Sequence, residues 1–223
     1  MADGDSWLKT REAHLAARKD HAAIIKAAGG VKNAVEIGSL PRYIDTTVSE
    51  ALVLGLLLQG VNKFITVFGH GSTEVGEVLR IYQDAGFCRV FGVRNEIEAS
   101  HAAATLNWVQ GEKAAVVTSI GPGALQALAG SLFPLANGIG VWYLLGDETT
   151  EDEGFNFQQI PRHEQNSFLK LYSQMGKAYS LHTPLSLPTA LRRGLNATSD
   201  PYQAGPFYLL LPMNIQSSVL NHF

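Results

Sequence analysis

VRNEIEASHAAA at 93–104 and VVTSIGPGALQA at 116–127 are the stretches that decide how this chain folds. Each takes an apolar strand straight into a helix of small residues, and repeats of that unit build a parallel sheet covered by helices. Working outward, FITVF at 64–68, CRVFGV at 88–93, AAVVTSI at 114–120, GVWYLLG at 140–146, a short segment around 178–181 and PFYLLLP at 206–212 read as strands. Helical runs alternate with them: VSEALVLGLLLQG ending at Gly60, STEVGEVLRIYQDAG, EIEASHAAATLNWVQ, GALQALAGSLFPLAN, one near 164–175 and one from Ser186 to Thr198. Thr47 is the expected cap of the first helix, with Glu50 at the capping-box position. Strands that are apolar without alternation are buried on both faces. Right-handed crossovers then give an α/β fold, a three-layer doubly wound parallel sheet.

Ahead of that pattern, residues 6–28 place Trp7, Leu8, His14, Leu15, Ile24 and Ile25 roughly on one helical face, and Gly29-Gly30 supplies a stop. Residues 31–45 lack a period and contain Pro41. The expected organisation is therefore an N-terminal helix and connecting arm over 1–45, a globular domain over 46–216 and a tail over 217–223. A net charge of -3 gives no reason to expect a nucleic acid or an anionic membrane surface as partner. Apolar runs such as ALVLGLLL at 51–58 fall far short of the roughly 18 residues that span a bilayer. The acids Asp3, Asp5, Glu12 and Asp20 leave no apolar signal core. The single cysteine, Cys88 between Phe87 and Arg89, reads as a buried thiol in a reducing compartment, so a cytoplasmic location is expected.

Ligands of doubly wound sheets sit beyond the carboxyl ends of the strands. Those ends are GHG at 69–71, Arg94–Glu96, Gly121–Gly123 and the loop from Asp147, so the candidate chemistry gathers on one edge. Glu96, at a helix start, suits either dipole stabilisation or acid–base work. Its neighbours Ile97, Ala99, Ala102 and Ala103 make its surroundings apolar and close-packed. One acid beside a bare Gly-Pro-Gly turn is an arrangement for presenting a carboxylate to a flat heteroaromatic group, with backbone rather than side chain next to it. GHGSTEVG at 69–76 is neither of the glycine-rich phosphate fingerprints and reads as a tight strand-to-helix turn. His70 at its tip is open between substrate contact and an incidental loop position. Ser119 in SIGPG reads as a hydrogen-bonded strand end rather than a nucleophile, and His101 as a packing histidine. His163 and Glu164 lack the partners of a zinc site, so no metal is expected on this chain.

Six pieces in register resemble the pyrimidine-binding domain of the thiamine diphosphate enzymes that include acetolactate synthase. They are EALVLGLLLQGV, FGHGS, NEIEASHAAA, SIGPGALQA, FQQ at 157–159 and DPYQAGPFYLLLP, spanning about 46–216. FGHG, Asn95-Glu96, LAN at 135–137 and the DP-x-x-AGP run are most similar to the trihydroxycyclohexanedione hydrolase branch; the acetolactate synthase branch usually has histidine where Asn95 stands. The resemblance implies that Glu96 is the catalytic acid, hydrogen-bonded to N1′ of the aminopyrimidine of thiamine diphosphate. It further implies that Gly121, Pro122, Gly123 and Asn95 contact the cofactor, while His70 and Gln158 face a small carbonyl substrate.

Such enzymes hold the diphosphate through a GDG motif followed by paired asparagines, which bind magnesium. GDE at 146–148 is not that motif and no asparagine pair follows. The resemblance therefore implies either one subunit of a split enzyme or an excised fragment, and the 45-residue N-terminal extension favours the separate subunit. A separate diphosphate-binding subunit would carry the Mg2+, and this chain would form a homodimer within a heterotetramer. Cleavage, decarboxylation or joining of carbon–carbon bonds in a 2-ketoacid or cyclic dione is the expected chemistry. A non-catalytic assembly or regulatory subunit on the same scaffold is the alternative, and an unrelated nucleotide-binding domain is disfavoured by the missing glycine fingerprint.

Overall fold

A computed structural model describes residues 4–150 and 166–220, with side chains described from Arg11 onward. Six parallel strands form the sheet: β2 (Lys63–Val67), β3 (Arg89–Gly92), β4 (Ala114–Thr118), β5 (Val141–Asp147), β6 (Lys177–Ser180) and β7 (Pro206–Pro212), in the order β3-β2-β4-β5-β7-β6. A two-residue strand β1 (Thr46–Thr47) pairs antiparallel with β8 (Val219–Leu220), so the segment read as a tail is stitched to the start of the domain.

On one face lie α1 (Gly4–Ala28), α2 (Val31–Glu36), α3 (Val48–Leu58), α4 (Thr73–Asp84) and α9 (Leu187–Ser199). They pack on Phe64, Ala115, Val117, Trp142, Leu144, Phe207 and Leu209. The other face carries α5 (Glu96–Gln110), α6 (Pro122–Gly130), α7 (Leu132–Ala136) and α8 (Ser167–Met175), packed on Ile65, Val116, Tyr143, Leu145, Tyr208 and Leu210. A short helix α10 (Met213–Gln216) follows β7. The expected α/β three-layer, doubly wound parallel sheet is thus the observed fold. No helix among the described residues is long and apolar enough to cross a membrane.

Four local departures have physical causes. The arm over 31–45 includes the helix α2, whose Val31 and Ala34 are buried against the core. The run expected as one helix over GALQALAGSLFPLAN breaks at Ser131 into α6 and α7, and Pro134 there has no backbone N–H to continue the ladder. Strand β3 lies at the sheet edge and is mostly exposed rather than buried on both faces. Its free edge is blunted because the Val90 N–H donates to Gln83 Oε1 at 2.7 Å. Thr47 caps α3 as expected, accepting from the Glu50 N–H, but the Glu50 carboxylate turns away from the backbone to meet Thr46, Tyr82 and His21.

From β2 the chain steps outward to β3 and then returns past β2 to β4. The reversal opens a crevice beyond the carboxyl ends of β2 and β4, which is where doubly wound sheets take ligands.

Candidate functional site

Glu96 is the first residue of α5 and is 8% exposed. Asn95 caps that helix, its Oδ1 accepting from the Glu98 N–H at 2.9 Å, so this side chain sets the helix start that carries Glu96. Ser100 Oγ lies 2.9 Å from the Glu96 carbonyl and 3.2 Å from the Ala127 carbonyl, tying α5 to α6. Small residues allow this approach: Ala99, Ala103, Ala124 and Ala127 are all buried between the helices and the sheet.

The Gly-Pro-Gly turn completes the setting. Gly121 has φ 59 and ψ -108, a left-handed region that disfavours side chains, and Pro122 begins α6. A methyl group on Gly123 would lie 2.7 Å from Oε1 of Glu96. The carboxylate therefore rests against bare backbone. Among the described residues its side chain has no hydrogen bond or ion pair. Its oxygens are not among the fully enclosed, unpartnered side-chain atoms, so water or a ligand can reach them. The absent side chain at 123 is what lets the carboxylate lie against backbone there.

The GHG loop lies against Ser119 and Ile120, which lead into the Gly-Pro-Gly turn. His70–Ser72 form a single 3₁₀ turn, so the tight strand-to-helix turn is the observed form. Its Gly71 is held from both ends: the N–H donates to Ser119 Oγ at 3.4 Å, and the carbonyl accepts from Gln216 Nε2 at 2.7 Å. Ser119 is thus engaged in the loop, as a strand-end hydrogen-bonding residue. His70 is exposed, and its Nε2 lies 3.6 Å from Oε1 of the buried Glu148.

The structure brings Glu96, Gly121, Pro122, Gly123 and Asn95 together around the start of α5 and α6, and sets His70 on the neighbouring loop. Gln158, His163 and Glu164 lie outside the described residues. His101 differs from its reading as a buried packing residue: it is exposed and meets Phe133 edge-on at 5.6 Å. Cys88 is buried, and burial pushes its thiol up to about 12, which leaves it protonated and inert at neutral pH. No group of three or more potential metal ligands occurs among the described residues.

Sequence reasoning missed Glu148, Asn214 and Gln216. Glu148 sits in the acid-rich run DETTEDE, where any carboxylate reads as solvated. Asn214 and Gln216 follow the last strand and carry no motif.

Fold and site together define a cofactor-binding α/β domain that presents one acid at its carboxyl edge. Residues 46–176, more than half of the chain, match the family model described as thiamine pyrophosphate enzyme, N-terminal TPP binding domain, and the chain belongs to this family. It is similar to the 3D-(3,5/4)-trihydroxycyclohexane-1,2-dione hydrolases. Identity is 30% over 165 residues with the Bacillus licheniformis protein, covering 70% of this chain and 25% of that one. With the Bacillus subtilis protein it is again 30% over 165 residues, with the same coverage. With that of Shouchella clausii it is 30% over 171 residues, covering 73% and 26%. The chain spans about a quarter of the length of these relatives.

Proposed function

We propose that this chain is the pyrimidine-binding part of a thiamine diphosphate enzyme whose diphosphate is held by a separate subunit, acting on a cyclic dione or 2-ketoacid. The observation that carries this reading is Glu96, a largely buried residue whose carboxylate lies against Gly123 with no protein partner among the described residues and its oxygens still accessible. Bound thiamine diphosphate supplies a nucleophilic carbon that adds to a carbonyl. Glu96 holds a proton at N1′ of the aminopyrimidine, a proton-holding role typically worth 10²–10⁴-fold in rate. Gly121, Pro122 and Gly123 line the ring, and Asn95 fixes the helix start that aims the acid. His70 and Gln158 face the substrate. The dione is preferred as substrate because the similar proteins act on one.

Partner dependence draws support from the outer face of α5, α6 and α7. Ile97, Trp108, Val109, Leu125, Leu132 and Leu135 are all exposed there, on three adjacent helices of which α5 and α6 begin at the site. An apolar face of this kind marks a contact surface. It suits a partner subunit bearing the Mg2+ and the diphosphate grip, in a heterotetramer around a homodimer of this chain. The buried, protonated Cys88 accords with a reducing cytoplasm. The same face also suits a non-catalytic assembly subunit.

Reconstitution separates the two readings. The chain is combined with the diphosphate-binding subunit, thiamine diphosphate and magnesium, and offered pyruvate or 3D-(3,5/4)-trihydroxycyclohexane-1,2-dione. Turnover that Glu96→Gln abolishes supports the catalytic reading, and full turnover by that variant defeats it. Tight binding of thiamine diphosphate to the isolated chain would contradict the divided site.

A further inference from the structure

The loop after β2 and the end of β5 converge in a way that the role of Glu96 does not require. Glu148 is 7% exposed, yet the group its carboxylate meets is the exposed His70, at 3.6 Å from Nε2. That is ion-pair distance, a few tenths of an ångström beyond a hydrogen bond. Both members are braced by one short element, α10. Gln216, itself 2% exposed, donates to the carbonyl of Gly71, the residue after His70, and to the Leu211 carbonyl at 2.8 Å. Asn214, two residues earlier, accepts from the Thr150 N–H at 3.1 Å and donates to Thr150 Oγ1 at 2.9 Å, two residues beyond Glu148. Gly146 presses on the same loop, since a methyl group there would lie 2.6 Å from the Gly71 carbonyl. A loop histidine of no consequence needs none of these restraints.

We propose that Glu148 is a positioning residue for His70: it orients the imidazole at the mouth of the site so that the ring hydrogen-bonds an oxygen of the carbonyl substrate, with α10 as the bracket that sets their separation. This rests on the cofactor-site reading above. A carboxylate facing Nε2 keeps the proton on that nitrogen and leaves Nδ1 as the acceptor, which suits a substrate hydroxyl beside the reacting carbonyl. The substrate class implied is a hydroxylated carbonyl compound.

Two measurements test this. In the full chain, nitrogen-15 spectra of the imidazole, with His70 assigned by its loss in His70→Asn, should show one dominant tautomer protonated at Nε2. Glu148→Gln should produce a mixture of tautomers, and Glu148→Asp should restore part of the original bias. An identical ring signal in wild type and Glu148→Gln overturns the pairing whatever the kinetics. In the reconstituted complex, the assay uses whichever of trihydroxycyclohexanedione or pyruvate gives Glu96-dependent turnover. There Glu148→Gln and His70→Asn should each raise KM about tenfold, the worth of one good hydrogen bond, with a smaller change in kcat. The double variant should be no worse than either single one. A wild-type KM in Glu148→Gln overturns the positioning role while Glu96→Gln remains dead. Turnover surviving in Glu96→Gln defeats the cofactor reading instead and leaves the spectroscopic result to judge the pair.

Discussion

Two glutamates in first helical turns, Glu50 of α3 and Glu96 of α5, are both buried, yet the protein treats them in opposite ways. Glu50 is surrounded. His21 Nδ1 lies 3.1 Å from its Oε1, the Tyr82 hydroxyl donates at 2.9 Å and Thr46 Oγ1 donates to Oε2. Arg18, also buried, runs alongside to Thr47, Glu74 and Glu77, so α1 is clasped to α3 and α4 by charge as well as by packing. Burial alone would raise the Glu50 carboxyl, but the bonds from His21, Thr46 and Tyr82 outweigh it and hold it below its ordinary value. Glu96 has packing around it and no polar partner among the described residues. A satisfied acid of this sort stabilises a fold, whereas Glu96 contributes no such bond and keeps its oxygens accessible.

The largest expected effect breaks the comparison if it fails. Glu96→Gln should cost 10²–10⁴-fold in turnover of the reconstituted enzyme, while the melting temperature of the chain stays the same or rises. The matching change at the other acid, Glu50→Ala, should cost about 3–5 kcal/mol in denaturant unfolding, because it strands buried partners. It should also release α1 to hydrogen exchange. A loss under about 1 kcal/mol would mean that the clasp is ornamental.

Smaller changes sharpen the contrast. Gly123→Ala forces the Glu96 carboxylate aside, since the new methyl would sit 2.7 Å from Oε1. Turnover should fall on the order of 10–100-fold with a stability cost of about 1–2 kcal/mol, so that kinetics and unfolding diverge. No comparable divergence is expected at Glu50.

The weakest effect concerns pH. The hydrogen bond to Glu50 raises His21 above its ordinary 6.5 against the opposing effect of burial, and the Glu50 and Asp20 charges add to the rise. Its contribution is complete below about pH 6.5 and fades as pH climbs through the elevated folded value. Glu50, lowered from 4.5, contributes above that value and loses its contribution as pH falls through its depressed folded value. The clasp should therefore be firmest between about 4.5 and 6.5. Unfolding at pH 6 and pH 8.5 should differ by about 1 kcal/mol in favour of the lower pH. In His21→Gln that difference should vanish, and its persistence would assign the pH dependence to another group.

Much of the molecule was legible along the chain. Apolar runs without alternation gave the parallel strands, and helix α5 occupies the residues Glu96–Gln110 that its pattern marked. Glu96 and the Gly-Pro-Gly turn stand out because their chemistry is local: an acid at a helix start and residues that free or fix φ. Glu50 shows the limit of such reading. Its capping-box position was correct and its backbone bond exists, but the carboxylate went to Tyr82 and His21, thirty-two and twenty-nine residues away.

Sequence by itself determined the layers, the strand direction and the place of Glu96 at a helix start, since each depends on hydrophobic period or on turn stereochemistry within a few residues. Tertiary structure alone decided which carboxylates find partners. It buried Glu148 among a run of acids, joined it to His70, and used Asn214 and Gln216 from the far end of the chain to hold both. Hydrogen bonds and burial depend on distance in space, and that distance is set only when the six strands stack in the order β3-β2-β4-β5-β7-β6.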